Sequence, residues 1–183
     1  MQLTEHFTLA EMVESETATR LGIDNMPSAE IIENLKRTAQ LGEAIRAALS
    51  EDAKREVYIT VLSGYRCEAL EKVLCQKDFA SWCKRNFMDN SDTCWATYFA
   101  KKGHPQGRCM DFHAPLAGNP YHVIRLLAAR PEIMAQVDQI ILEGVTTKTE
   151  GWIHIGWRDL PRHQVMTAIF DTNGVPHYAN NLT

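Results

Sequence analysis

The chain has 183 residues, 45% of them hydrophobic, and a formal net charge of −4. That length suits a single domain with a sizeable buried core, and the apolar content excludes a disordered chain. The mildly negative balance offers no basic field for nucleic acid, and no apolar run is long enough to cross a bilayer, so neither nucleic-acid binding nor membrane insertion is expected.

In chain order, Thr8 and Glu11 stand at capping-box spacing ahead of a short amphipathic helix. Residues 21–27 read as a turn. Ser28 then caps a long helix in which Ile31, Leu35, Leu41, Ile45 and Leu49 recur near a 3.6-residue period, with Glu33, Lys36, Arg37 and Glu43 on a solvated face. Residues 57–62 are β-branched and aromatic and predict a strand, which ends in a turn at Ser63-Gly64-Tyr65-Arg66. Residues 70–84 and 92–100 read as helices separated by a break at 88–92. A second strand is predicted at 108–113. Asn119 caps a further helix with Pro120 at its first position, and that helix ends before Pro131. Residues 139–143 and 152–157 read as the strands of an antiparallel hairpin with a polar connection at 144–151. The turn at 173–176 belongs to a surface tail.

These elements predict an α+β fold: a small, largely antiparallel sheet with flanking helices on one side. One domain spans 1–183, with a helical insertion at about 68–103. Phe79, Trp82, Phe87, Trp95, Tyr98 and Phe99 give that insertion a small core of its own, and its place just before His104 leaves open a role as a lid or cleft wall. The five cysteines are Cys67, Cys75, Cys83, Cys94 and Cys109, and none forms a Cys-x-x-Cys pair. Residues 1–6 lack a basic segment followed by an apolar one. Synthesis in the cytoplasm without a signal peptide, with reduced thiols, is the expectation.

His104, Asp111 and His154 carry the chemical signal. Two imidazoles and a carboxylate make a three-ligand zinc site whose fourth position stays open, the arrangement of a catalytic rather than a structural zinc. Period-two geometry puts Cys109, Asp111 and His113 on one face of their strand, and Trp152, His154 and Gly156 on one face of theirs. His113 therefore competes as a ligand or as a group that orients Asp111. Gly156 would leave room beside the metal. A general base must be a carboxylate near the open position. Glu143 ends the strand that pairs with the His154 strand, and Glu150 lies four residues before His154. Both are candidates, with Glu143 favoured on position.

Gly107 and Asp111 follow His104 by three and seven residues, Trp152-Ile153-His154 comes later, and Ser63-Gly64-Tyr65-Arg66 lies upstream. With the opening Glu5-His6-Phe7-Thr8-Leu9-Ala10-Glu11-Met12, this pattern resembles the phage-type zinc D-Ala-D-Ala carboxypeptidases and murein peptidases. That family shares its zinc fold with the signalling domain of hedgehog proteins. Lys102 stands where the family usually has a serine. The resemblance implies a zinc peptidase that cuts amide bonds next to D-amino acids in peptidoglycan stem peptides, as a carboxypeptidase or an endopeptidase. Its metal ligands would be His104, Asp111 and His154. Arg66 would hold a substrate carboxylate or a tetrahedral oxyanion, and Trp152 would wall the cleft or pack in the core. A monomer acting at the cell wall after holin-type release, or as part of a virion, fits the same picture. The alternative from another class is a non-catalytic zinc-containing binding or virion structural module.

Overall fold

A computed structural model describes residues 1–145, 150–180 and 182. Eight helices and six strands are present among them. They run α1 (Leu9–Val13), α2 (Glu16–Leu21), α3 (Ala29–Ala53), β1 (Thr60–Ser63), α4 (Glu68–Leu74), α5 (Gln76–Arg85), α6 (Asp92–Phe99), β2 (Cys109–His113), α7 (Pro120–Ala128), α8 (Pro131–Met134), β3 (Gln139–Glu143), β4 (Trp152–Gly156), β5 (Gln164–Phe170) and β6 (Pro176–Ala179). The strands form one sheet in the order β1-β2-β4-β3-β5-β6. Every neighbouring pair is antiparallel except β3 with β5. The fold is therefore mixed α and β around a mostly antiparallel sheet.

Local chemistry places the ends of the helices. Thr8 and Glu11 close the expected capping box on α1. Ser28 caps α3 by accepting from the Ile31 amide, and Asn119 caps α7, whose first residue is Pro120. The long α3 buries Leu35, Leu41, Ile45 and Leu49 completely or nearly so.

The sheet has two chemically different faces because side chains alternate along a strand. Met110 and Phe112 of β2, Ile140 and Leu142 of β3, and Ile153 and Ile155 of β4 point into the main core beneath α3 and α7. Cys109, Asp111, Ile141, Glu143 and His154 take the alternate positions. Ladder pairing sets Asp111 directly opposite His154, and Ile141 opposite His154 on the other side. A slip of one residue in either ladder would send these polar groups into the core, so burial of the isoleucines fixes the register of the site.

Several elements differ from expectation, among them the strand expected over 57–62, which runs Thr60–Ser63. The helix expected over 70–84 breaks at Cys75 into α4 and α5. The turn expected from residue 21 is preceded by α2, capped by Ser15. The turn expected in the tail is present and exposed at 172–174, but it joins two strands not expected from sequence, β5 and β6, which add to the sheet. Nor do all helices lie on one side, because α4–α6 border the opposite face, where the cleft opens. Within the connection 144–151, residues 146–149 lie outside the described residues.

Candidate metal centre

Three backbone features deliver the site residues. First, β1 ends at Ser63, whose register partner is Asp111 across an irregularity after Val61. Second, the following turn passes very close to α1. A Cβ on Gly64 would lie 2.5 Å from the Met12 carbonyl, so only glycine fits there. Buried Asn25 clamps that turn: its amide donates to the carbonyls of Val13 (2.8 Å) and Tyr65 (3.1 Å), and its oxygen accepts from the Cys67 amide (2.8 Å). Third, His104 opens a short 3₁₀ turn that closes on Gly107 at φ 65°, a left-handed conformation suited to glycine. The Gly107 carbonyl is held by the Thr38 hydroxyl of α3 at 2.7 Å.

His104, Asp111 and His154 meet on the cleft floor. The His154 Nδ1 lies 2.8 Å from Asp111 Oδ1, and the His104 Nε2 lies 3.4 Å from Asp111 Oδ2. The His104 Nδ1–H donates to the Gly64 carbonyl at 2.6 Å, which turns Nε2 towards the carboxylate. Donors bound tetrahedrally to zinc at about 2.0–2.1 Å stand roughly 3.3 Å apart, so these separations need an adjustment of only about half an ångström. A backbone carbonyl behind a histidine is also the usual orienting partner of a metal-bound imidazole. These two separations therefore suit a divalent metal ion.

Two overlapping groups can hold such an ion: Asp111, Glu143 and His154, and His104, Cys109 and His154. Neither group is the His104, Asp111, His154 trio expected from sequence, which takes its members from both. Cys109, two residues before Asp111 on the same strand face, is not among the ligands expected from sequence. A Cβ on Gly156 would press the Cys109 Cβ at 3.3 Å and stand 3.8 Å from His154 Nε2, so the glycine makes room behind the His154 ring.

Electrostatics describe a pocket that collects positive charge. Burial opposes ionisation of Asp111, yet the two imidazoles hold its carboxyl well below the usual range. Burial and Arg66 disfavour the charged form of His104, but Cys109 and Asp111 outweigh them and lift its pKa to about 9. His154 is raised well above its ordinary value against its own burial by Cys109 and Asp111. Cys109, though buried, is brought down to about 7 by the same two rings. A bound cation would replace protons in satisfying these anionic groups.

Glu143 stands beside His154 and Asp111 on the cleft floor, and its Oε2 accepts from the Trp152 indole at 3.1 Å. Its carboxyl is raised, chiefly by burial and then by Asp111, with His154 opposing. Glu150 is exposed and is not among the residues lining the cleft. His113 is likewise exposed, bonded through Nε2 to the Gly151 carbonyl at 2.8 Å. Arg66 does reach the site, but its guanidinium faces carboxylates of its own chain. Its Nη2 donates to Asp111 Oδ2 and its Nε to Ser63 Oγ, both at 2.8 Å, and Nη1 lies 3.6 Å from Glu71 Oε2. Glu71 is 1% exposed and its Oε2 has no hydrogen-bond partner, which marks it as the counter-charge that fixes the arginine from behind.

The cleft above this floor has a volume of about 560 Å³. One wall comes from α4–α6 and the segment after it, with Trp82, Tyr98 and Lys102. The other comes from Met166, Phe170 and Tyr178 of β5 and β6. Trp152 joins the second wall, with its ring 5.9 Å from that of Phe170. Lys102 pairs with Asp78 at 3.1 Å and lies over the Tyr98 ring. The β5–β6 wall was missed because residues 164–170 were not assigned as a strand, although the run from Val165 to Phe170 carried the β-branched and aromatic signal. The sequence matches no family model and no curated protein.

Proposed function

We propose that this cleft hydrolyses amide bonds next to D-amino acids in peptidoglycan stem peptides, as a zinc-dependent carboxypeptidase or endopeptidase of the hedgehog-like peptidase fold. The observation that carries the reading is that His104, Asp111, His154 and Glu143 line one cleft, although these residues come from separate strands and a turn. Zinc, when bound there, supplies Lewis acidity towards a carbonyl and towards water.

The chain's own groups divide the remaining work. Glu143 accepts a proton from the attacking water and returns it to the leaving amine; its raised carboxyl pKa suits both steps. The Trp152 indole holds that carboxylate in place. Arg66 orients Asp111 by donating to its Oδ2 and fixes the turn through Ser63. This takes the place of holding a substrate carboxylate or an oxyanion, since the guanidinium already pairs with Asp111 and Glu71. The aromatic and cationic walls give the peptide a bounded groove.

Cytoplasmic synthesis followed by action at the wall, through holin-type release or as part of a virion, belongs to the same proposal. Incubation with purified muropeptides, read by mass spectrometry, tests it. New products separated by the mass of one D-amino acid or of one cross-link are expected, and a chelator should abolish them. Intact muropeptides with zinc-loaded protein would favour the non-catalytic module.

A further inference from the structure

Helices α5 and α6 pack together over a small core separate from the main one, formed by Phe79, Cys83, Cys94, Trp95 and Tyr98. Within it the sulfur atoms of Cys83 and Cys94 lie only 3.0 Å apart, eleven residues distant in sequence. Both side chains are buried, at 3% and 1% exposure. The other thiols are placed differently: Cys75 donates to Glu71, and Cys109 lies among the metal-centre histidines. The same helix pair brings Asp78, Trp82 and Tyr98 to the cleft wall.

We propose that Cys83 and Cys94 are a latent disulfide, formed when the folded protein meets a small disulfide donor, and that the bond ties α5 to α6 behind the cleft wall. The chemistry is thiol–disulfide exchange. One cysteine thiolate attacks a sulfur of the donor, forming a mixed disulfide and releasing one donor thiolate. The second cysteine thiolate then displaces the other donor thiolate and closes the Cys83–Cys94 bond. The two cysteine protons end on the two donor thiols, so the pair is oxidised and the donor reduced. Burial and the contact with Cys94 push the Cys83 thiol up to about 11, which keeps the pair quiet while the helices stay closed. Exchange proceeds through local opening of α5 and α6, which rest on a small core of their own. The inference does not depend on the metal centre or on the peptidase reading.

The test is to equilibrate the purified full chain with glutathione disulfide under native conditions. The sample is then quenched in acid, alkylated in denaturant and mapped by mass spectrometry. Reduced protein should alkylate at all five cysteines and oxidised protein at three, with one cross-linked peptide pair joining Cys83 to Cys94. The Cys83→Ser variant should keep its four remaining thiols alkylatable under the same treatment. Amide exchange in residues 76–99 should slow on oxidation while β2–β4 stay unchanged. Five alkylated thiols in the treated wild type, a cross-link between any other pair, or glutathione adducts without closure would overturn the assignment. Closure with unchanged exchange in 76–99 would overturn the tying of the wall.

Discussion

Strands β2, β3 and β4 present Asp111, Glu143 and His154 from positions locked by ladder pairing over the main core. Helices α4–α6 present Trp82, Tyr98 and their neighbours from a second, much smaller core. A residue on the floor can shift only if a paired strand shifts with it, and burial of Ile153, Ile155, Ile140 and Leu142 forbids that. The helical wall is held differently: α5 and α6 rest on the smaller core, and α4 is tied to the floor through the Glu71–Arg66–Asp111 contacts. On the proposed function, chemistry would be built on the strand region and substrate contact on the helical one, a division that would let a wall vary without disturbing the centre beneath it.

Mutations can break this division at either region. The largest effect is expected on the floor. Glu143→Gln should lower peptidase turnover by roughly 10²–10⁴-fold while metal content and fold persist, measured by muropeptide kinetics beside elemental analysis. Glu150→Gln should leave turnover unchanged, because that side chain is exposed away from the cleft. The reverse result would move the base into the connection between β3 and β4.

The wall should fail separately. Trp95 is 4% exposed, packs on Phe79 and Tyr98, and donates its indole N–H to Glu68. Trp95→Ala should cost the α4–α6 unit about 3–5 kcal/mol. Amide exchange should show α5 and α6 opening while β2, β3 and β4 stay protected. Equal loss of protection in both regions would show that the two cores are one cooperative unit.

Arg66 lies at the junction of the two regions. Arg66→Lys keeps a charge but loses the planar fork that reaches Ser63, Asp111 and Glu71 together. A loss of roughly 10–100-fold in metal affinity or turnover is expected, the scale for an outer partner of a metal ligand. Parallel titration of zinc binding and kinetics would check it, and unchanged values in both would make the arginine a bystander.

A comparable effect, away from the cleft, concerns the entry to β3. Asp138 is buried and accepts from Arg162 through Nε, Nη2 and the backbone amide, and it also pairs with Arg158. Burial would raise its carboxyl pKa, but the Arg162 contacts outweigh burial and depress it. A depressed folded-state pKa means the stabilisation is complete above the unfolded value, near 3.8, and is lost as pH falls through the folded value. Asp138→Asn should therefore cost about 1–3 kcal/mol near neutral pH. Its denaturation midpoint should approach that of wild type in acid. A difference independent of pH would assign the effect to packing.

Much of the floor was legible in the sequence because its signals are local and periodic. Asn119-Pro120 and Ser28 mark helix starts by capping chemistry, and Gln139–Glu143 emerged with its observed limits. The spacing His104, Gly107, Asp111 encodes a turn entering a strand, and alternation along two strands brings Asp111 to His154. The hidden parts depend on contacts between segments distant in the chain. Nothing near Arg66 shows that Glu71 stands behind it or that Asn25 clamps its turn. The break at Cys75 lies inside a continuous helical pattern. Strand β5 pairs in parallel with β3, a partner that periodicity cannot name, so Tyr178 and Phe170 could not be foreseen as cleft residues.

The most direct test of the metal centre is elemental analysis of purified wild type beside His154→Ala and Glu150→Gln. Wild type and Glu150→Gln should each carry about one zinc per chain, as a three-ligand catalytic site would. His154→Ala should lose most of its metal, because His154 belongs to both metal-capable groups, while circular dichroism shows the fold retained. Full zinc occupancy in folded His154→Ala, or metal-free wild type after growth in zinc-replete medium, would contradict the zinc centre on which the peptidase reading rests.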